Sequence, residues 1–234
     1  MRYRYEDPVE TPRKKQYGNN YYRFHSRKLG RVVTAHTDLE QYYLIKLEMD
    51  PDVVYYCEHP LKVHLRDNLG REETRIPDAY VCFGDGKEEI AETMYSAGCG
   101  PAAEDPGSVR AGIRRMERWC RDNGIYFRVL TEKDLVVGKS VQNLRYLCHR
   151  IRMRRPPDER IRLGILEYAG SGPFGGTTFK EIGELIDAPY SLIVDCAAFM
   201  YWNGEIDIPD VFSDTALHLN SAIVLRRQCG KEKI

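Results

Sequence analysis

The stretch IPDAYVCFGDGKEEIAETMYS, residues 76–96, sets two apolar and β-branched runs on either side of Gly84-Asp85-Gly86. A short Gly/Asp turn between such runs is a strong hairpin signal. Asp78 stands at the head of the first strand, after Pro77, and Glu92 lies on the second. Alternate residues of a strand face one side. Glu92 and Met94 therefore share a face, and Asp78 on the partner strand of a bent hairpin can converge on Glu92. Two or three converging carboxylates in a concave site bind Mg2+ or Mn2+, ions that take oxygen ligands. Acids on hairpins are common, however, and spacing alone favours a charged hairpin whose carboxylates face solvent.

Outward from the hairpin, the chain alternates helical and strand patterns. Upstream, Thr37-Asp38-Leu39-Glu40 is a capping box that predicts a helix with Leu39, Tyr43, Leu44 and Leu47 as its apolar stripe. As the N3 residue of that box, Glu40 has a structural role that needs no chemistry. VVYYCEH and LKVHLR, on either side of Pro60, read as short strands. Downstream, a basic helix is expected from about Ser108 to Asp122, ended by Asn123-Gly124; IYFRVL reads as a buried strand and SVQNLRYLCHRIRM as another helix. The order predicts a mixed α/β domain over residues 34–155, preceded by a basic, tyrosine-rich extended arm over 1–33. Pro156-Pro157 marks the expected boundary. Residues 156–234 then hold three helices (158–169, TTFKEIGELI and APYSLIVDCAAFMYW) and an Asn-Gly turn, a pattern that suggests a winged helix.

The formal net charge is zero, so no overall field draws the chain to nucleic acid or membrane. Local charge is uneven: residues 1–37 carry nine Lys or Arg against three acids, and 145–162 carry seven against two, so two basic patches are expected. The seven scattered cysteines form no CxxC pair, which argues against a zinc knuckle or disulfide scaffold and for reduced thiols in a cytoplasmic protein. No stretch resembles a signal peptide or membrane span.

Other features carry less. The six histidines show no HxxxH or HxH grouping and read as surface or packing residues, not metal ligands. GSGPFGG resembles a phosphate loop only in composition, since it lacks the following Lys-Ser/Thr. Arg114, Arg118 and Arg121 form one stripe of the basic helix, equally suited to phosphate or to water. The helix over 189–201 is apolar and carries no basic residue, so it is expected to pack rather than to read bases. Arg154, Arg155, Arg160 and Arg162 near the linker are the expected DNA-binding residues.

Several stretches together resemble one family. FHSRKLGRVVTAHTDLEQYYLIKLEMDPDVVYYCEHPLKV (24–63), RIPDAYV (75–81) and WCRDNGIYFRVLTEKDL (119–135) resemble the N-terminal domain of TnsA, the endonuclease subunit of heteromeric bacterial transposases. Residues 158–227 resemble its C-terminal winged-helix domain. The resemblance implies a restriction-endonuclease-like fold whose site joins a helix glutamate, a strand aspartate after proline, and an acid or glutamine followed two residues later by lysine. Those positions are Glu40, Asp78 and Glu92 here, as catalytic and metal-binding residues, while the lysine position is Met94. Lys87 lies at the turn, an odd number of residues from Glu92, and is a poor substitute. The implied activity is Mg2+- or Mn2+-dependent cleavage of double-stranded DNA at the 5′ ends of a mobile element, beside a DDE-type transposase subunit and an AAA+ regulator. Met94 leaves open a catalytically weakened or inactive scaffold subunit, and an unrelated nuclease on the same fold is a third reading.

Overall fold

A computed structural model describes residues 3–11, 20–66, 70–99, 106–153, 158–171 and 176–226. The chain forms two compact units, one of Met1–Glu48 with Asp52–Val136 and one of Met49–Pro51 with Val137–Ile234. Among the described residues, no helix is long and apolar enough to cross a membrane.

The first unit opens with a hairpin of β1 (Tyr22–Ser26) and β2 (Arg31–Ala35), followed by α1 (Asp38–Met49) and β3 (Val53–Glu58). A second hairpin pairs β4 (Val63–Arg66) with β5 (Glu72–Arg75). Then come β6 (Ala79–Phe83), β7 (Glu88–Thr93), the short α2 (Ser96–Cys99), α3 (Pro106–Asp122), β8 (Tyr126–Leu130) and α4 (Glu132–Leu135). The main sheet has the order β3-β6-β7-β8, antiparallel except for β8, which runs parallel to β7. Parallel neighbours need a long crossover, and α3 supplies it. The β6–β7 turn falls at the expected glycines, with Gly86 at φ 88°. TRIPDAYVCF does not form one strand: Pro77 offers no ladder donor, and its two ends join different sheets.

Strand parity assigns the sheet faces. Tyr80, Cys82 and Ile90 pack with Met116 and Cys120 of α3. Glu89 faces the other way, where the hydroxyl of Tyr43 on α1 donates to it at 3.3 Å. The expected separate arm over 1–33 is not what forms. Residues 22–35 are the first hairpin, and Tyr3 stacks on Tyr55 while Tyr5 meets Tyr80 edge-on. Aromatic burial against β3 and β6 outweighs the polar composition of this segment. Arg13, Lys14 and Lys15 lie outside the described residues.

The second unit contains α5 (Ser140–Met153), α6 (Glu159–Ser171), β9 (Gly176–Thr178), α7 (Phe179–Ile186), α8 (Tyr190–Trp202), β10 (Ile206–Asp207), a 3-10 turn (Pro209–Phe212) and β11 (Ala222–Leu225). Its antiparallel sheet has the order β10-β11-β9. Thr178 and Glu181 close the expected capping box of α7. As expected, α8 packs: Ile193, Val194, Ala197, Ala198 and Met200 are buried, and α5, α6 and α7 surround it. The units divide at Val136–Val137, not at residues 155–156. Local proline chemistry marks where α5 stops, whereas its apolar face decides that it packs on α8.

Asn143 of α5 ties down the segment between β10 and β11. Its amide donates to the carbonyls of Asp210 (3.1 Å), Val211 (3.3 Å) and Thr215 (3.0 Å), and its oxygen accepts from the Leu217 amide at 3.0 Å. The side chain is 1% exposed. Removing it strands several buried backbone groups, each worth roughly 1–3 kcal/mol when unpaired. Asn143→Ala is therefore expected to lower stability by about 3 kcal/mol, read from the urea midpoint with the m-value unchanged.

Candidate active site

Glu40, His59 and Asp78 each present a donor atom, and these atoms all lie within 4.8 Å of one another. Glu40 and His59 are buried, and Asp78 is half-buried. Three elements deliver them. Thr37 caps α1: the Glu40 amide donates to Thr37 Oγ1 at 3.2 Å, and the Thr37 hydroxyl donates back to Glu40 Oε1 at 3.2 Å. The other carboxylate oxygen accepts from the His36 amide at 2.7 Å and lies 3.3 Å from His59 Nε2. The capping role read from sequence is thus real, and the same carboxylate also reaches the cluster.

His59 follows β3, and Asp78 precedes β6. Their backbones pair, the His59 amide donating to the Asp78 carbonyl at 3.0 Å, which extends the β3–β6 register by one rung. The Asp78 carboxylate accepts from the Thr93 amide at 2.6 Å and the Thr93 hydroxyl at 2.7 Å. It thereby caps the end of β7.

Glu92 is engaged elsewhere. It faces the same side as Ile90, toward α3, and its carboxylate takes the Arg75 guanidinium at 3.2 Å. Arg75 also holds Glu73 at 2.7 Å, Glu73 binds Arg115 of α3, and a side chain at Gly112 would collide with Arg75. Glu40 approaches with α1 from the opposite face. The β6–β7 register sets Glu92 opposite Asp78, and its charge reaches Asp78, but its carboxylate is held by Arg75 and is not among the donor atoms that Glu40, His59 and Asp78 bring together.

Electrostatics separates these acids. Burial pushes the Asp78 carboxyl up to about 7, with the Glu40 charge adding to it against the two Thr93 hydrogen bonds. Burial alone would raise Glu40, but the His59 and His36 hydrogen bonds hold it below the usual carboxylate range. Burial would lower His59, and its contact with Glu40 overrides that and raises it. Glu92 is raised by burial despite Arg75. A fully satisfied structural carboxylate looks different. Glu48, at 0% exposure, accepts from Ser26 Oγ (2.6 Å), Tyr56 OH (2.8 Å), and the amides of Arg27 (2.9 Å) and Lys28 (3.1 Å). Four donors satisfy the Glu48 carboxylate, whereas the Asp78 carboxylate is pushed up by the neighbouring Glu40 charge. Paired carboxylate oxygens of this kind fit a hard divalent cation.

A cavity of about 600 Å³ adjoins the cluster, lined by Val9, Tyr21, His36, His59 and Lys62 among others. His36 meets Tyr21 and His59 edge-on, with ring centroids 5.6 and 4.8 Å away. Lys62 is exposed there. Lys87, also exposed, pairs with Glu89 at 3.7 Å and lies over the Phe83 and Tyr126 rings. Met94 follows Thr93 directly, just past the end of β7, and its amide donates to the Leu130 carbonyl at 2.9 Å.

Of the arginines expected to contact DNA, Arg154 and Arg155 lie outside the described residues, and Arg160 is exposed on α6. Arg162 is committed to Glu205 at 2.7 Å and Glu159 at 2.9 Å. Arg114, Arg118 and Arg121 stand exposed along α3. Sequence reasoning passed over His59, which belongs to no histidine spacing motif. The one local signal is its place before Pro60 at a strand end, where backbone geometry is special. In comparisons with known proteins, the chain matches no protein-family model and no curated sequence.

Proposed function

We propose that this chain is a divalent-metal-dependent DNA endonuclease that acts at the 5′ ends of a mobile element, as the TnsA-like subunit of a heteromeric transposase. The observation that carries the reading is the convergence of Glu40 from α1 with Asp78 at the head of β6, two carboxylates whose donor atoms lie within 4.8 Å of each other and whose proximity raises the Asp78 carboxyl. These are the helix glutamate and the Pro-Asp aspartate that the family resemblance implies. The mixed sheet with α3 crossing between β7 and β8 supports a restriction-endonuclease-like first unit. Within the second unit, α6, α7 and α8 followed by β10 and β11, with β9 between α6 and α7, support a winged helix.

Glu40 and Asp78 would hold Mg2+ or Mn2+, which when bound lowers the pKa of a water and stabilises charge on the phosphodiester. The remaining tasks fall to the chain. Thr93 orients Asp78, the α1 cap orients Glu40, and the exposed arginines of α3 and Arg160 supply phosphate contacts whose strength falls with salt. A DDE-type transposase would cut the other strand and an AAA+ protein would regulate the assembly, in the cytoplasm. The second reading is a weakened or inactive DNA-holding subunit. It is favoured by Met94 at the lysine position and by the capture of Glu92 by Arg75.

The test is nicking of supercoiled plasmid, and of DNA bearing the element's ends with the partner transposase present, in Mg2+ or Mn2+. Slow nicking is expected from the parent chain, and Asp78→Asn should reduce it by at least about 10³-fold. No cleavage by the parent under any of these conditions would leave the holding role in its place.

A further inference from the structure

The cluster contains a nitrogen donor that the family resemblance does not assign. His59 is not placed there by chance packing of a flexible side chain. Its backbone adopts a left-handed conformation, φ 45°, immediately before a proline, an uncommon and costly state for a residue other than glycine. Hydrogen bonds on both sides hold it: its amide donates to the Asp78 carbonyl at 3.0 Å, and its carbonyl accepts from the Val9 amide at 2.8 Å. The ring is 6% exposed and is braced edge-on by His36. The imidazole is thus carried on a fixed backbone to two carboxylates, with Nε2 3.3 Å from Glu40 Oε2.

We propose that His59 is a metal ligand, so that Glu40, His59 and Asp78 form a mixed oxygen–nitrogen centre selecting a first-row transition-metal ion such as Mn2+ over Mg2+. The proposal rests on the metal-dependent reading above and adds the identity of the third donor and of the cation. Its basis is donor chemistry. Mg2+ demands near-ideal octahedral oxygen coordination and keeps several waters. Imidazole favours transition metals, whose affinity for nitrogen exceeds that of Mg2+. With Glu92 held by Arg75, the third donor that reaches the two carboxylates is a nitrogen. A free imidazole and a carboxylate also form an ion pair without metal, and the measurement must separate that role from ligation.

The probes are MnCl2 and MgCl2 with the full chain. Binding of Mn2+ is read from loss of the free-ion electron paramagnetic resonance signal, and Mg2+ from its competition. Electron spin echo modulation then reports whether nitrogen is bound to Mn2+. The parent chain should bind Mn2+ at least about tenfold more tightly than Mg2+ and show 14N modulation from a directly coordinated imidazole. His59→Asn suits the left-handed backbone, which Asn tolerates, and replaces nitrogen by an amide oxygen. It should lose the 14N modulation and at least about tenfold in Mn2+ affinity, with Mg2+ affinity changed by less than about threefold. Bound Mn2+ without 14N modulation in the parent chain overturns the proposal, and needs no variant to do so. Equal losses of Mn2+ and Mg2+ affinity in His59→Asn overturn the selectivity. If the parent binds neither ion, or Asp78→Asn binds both unchanged, the metal centre of the proposed nuclease itself fails, whatever His59 does.

Discussion

In chelator at pH 8, Asp78→Asn protein should be more stable than the parent by about 2–4 kcal/mol. The cause is the carboxyl pushed up to about 7 by burial and by Glu40, against 3.8 for an ordinary aspartate. Between those values the native protein keeps a proton that the unfolded chain has released. Stability from this group is therefore fully present below about pH 4, declines as pH rises toward 7, and is lost above it. Asparagine removes the charge, and its oxygen can still accept from the Thr93 amide and hydroxyl. The advantage of the variant should accordingly shrink as pH falls and vanish below about pH 4.

Divalent cation should reverse the trend. A ligand at 100 times its dissociation constant stabilises the native state by about 2.7 kcal/mol. The parent chain should gain this and the asparagine variant should not. Chemical denaturation from pH 4 to 8, with and without Mn2+, tests both signs. A variant less stable than the parent at pH 8 in chelator would make Asp78 a structural acid like Glu48. An undiminished metal response would put the cation elsewhere.

Met94→Lys is expected to increase DNA nicking by at least about tenfold. Methionine cannot donate or accept a catalytic proton, nor pair with phosphate. Loss of one such group typically costs about 10²–10⁴-fold in rate. Position 94 directly follows Thr93, whose amide and hydroxyl hold Asp78, so an ammonium introduced there arises beside the aspartate's own anchor. Metal affinity should stay similar or weaken slightly, because a cation is added near a cation. The measurement is single-turnover nicking of supercoiled plasmid. A parent chain already cleaving at a full rate, and slowed by the lysine, would show that another group serves. Lys62, which shares a cavity with His59, is then the first residue to replace. Silence from both proteins, with the partner transposase present, favours the holding role.

The features that sequence alone determined are those governed by neighbours in the chain. Thr37 begins α1 and Thr178 begins α7 because a hydroxyl and a glutamate three residues on satisfy amides that a helix leaves open. Gly84-Asp85-Gly86 turns the β6–β7 hairpin because a glycine there accepts a positive φ. The Glu40–Asp78 pairing was legible too, through a resemblance extending over both positions. What only tertiary structure decided depends on groups distant in sequence. His59 enters the cluster because a left-handed residue before Pro60 is held between Asp78 and Val9, which no histidine spacing encodes. Glu92 is drawn off by an ion pair with Arg75 of β5. Arg162 is drawn to Glu205, and α5 joins the second unit, for the same reason: burial and charge pairing are settled between elements, after each element's local signals are spent.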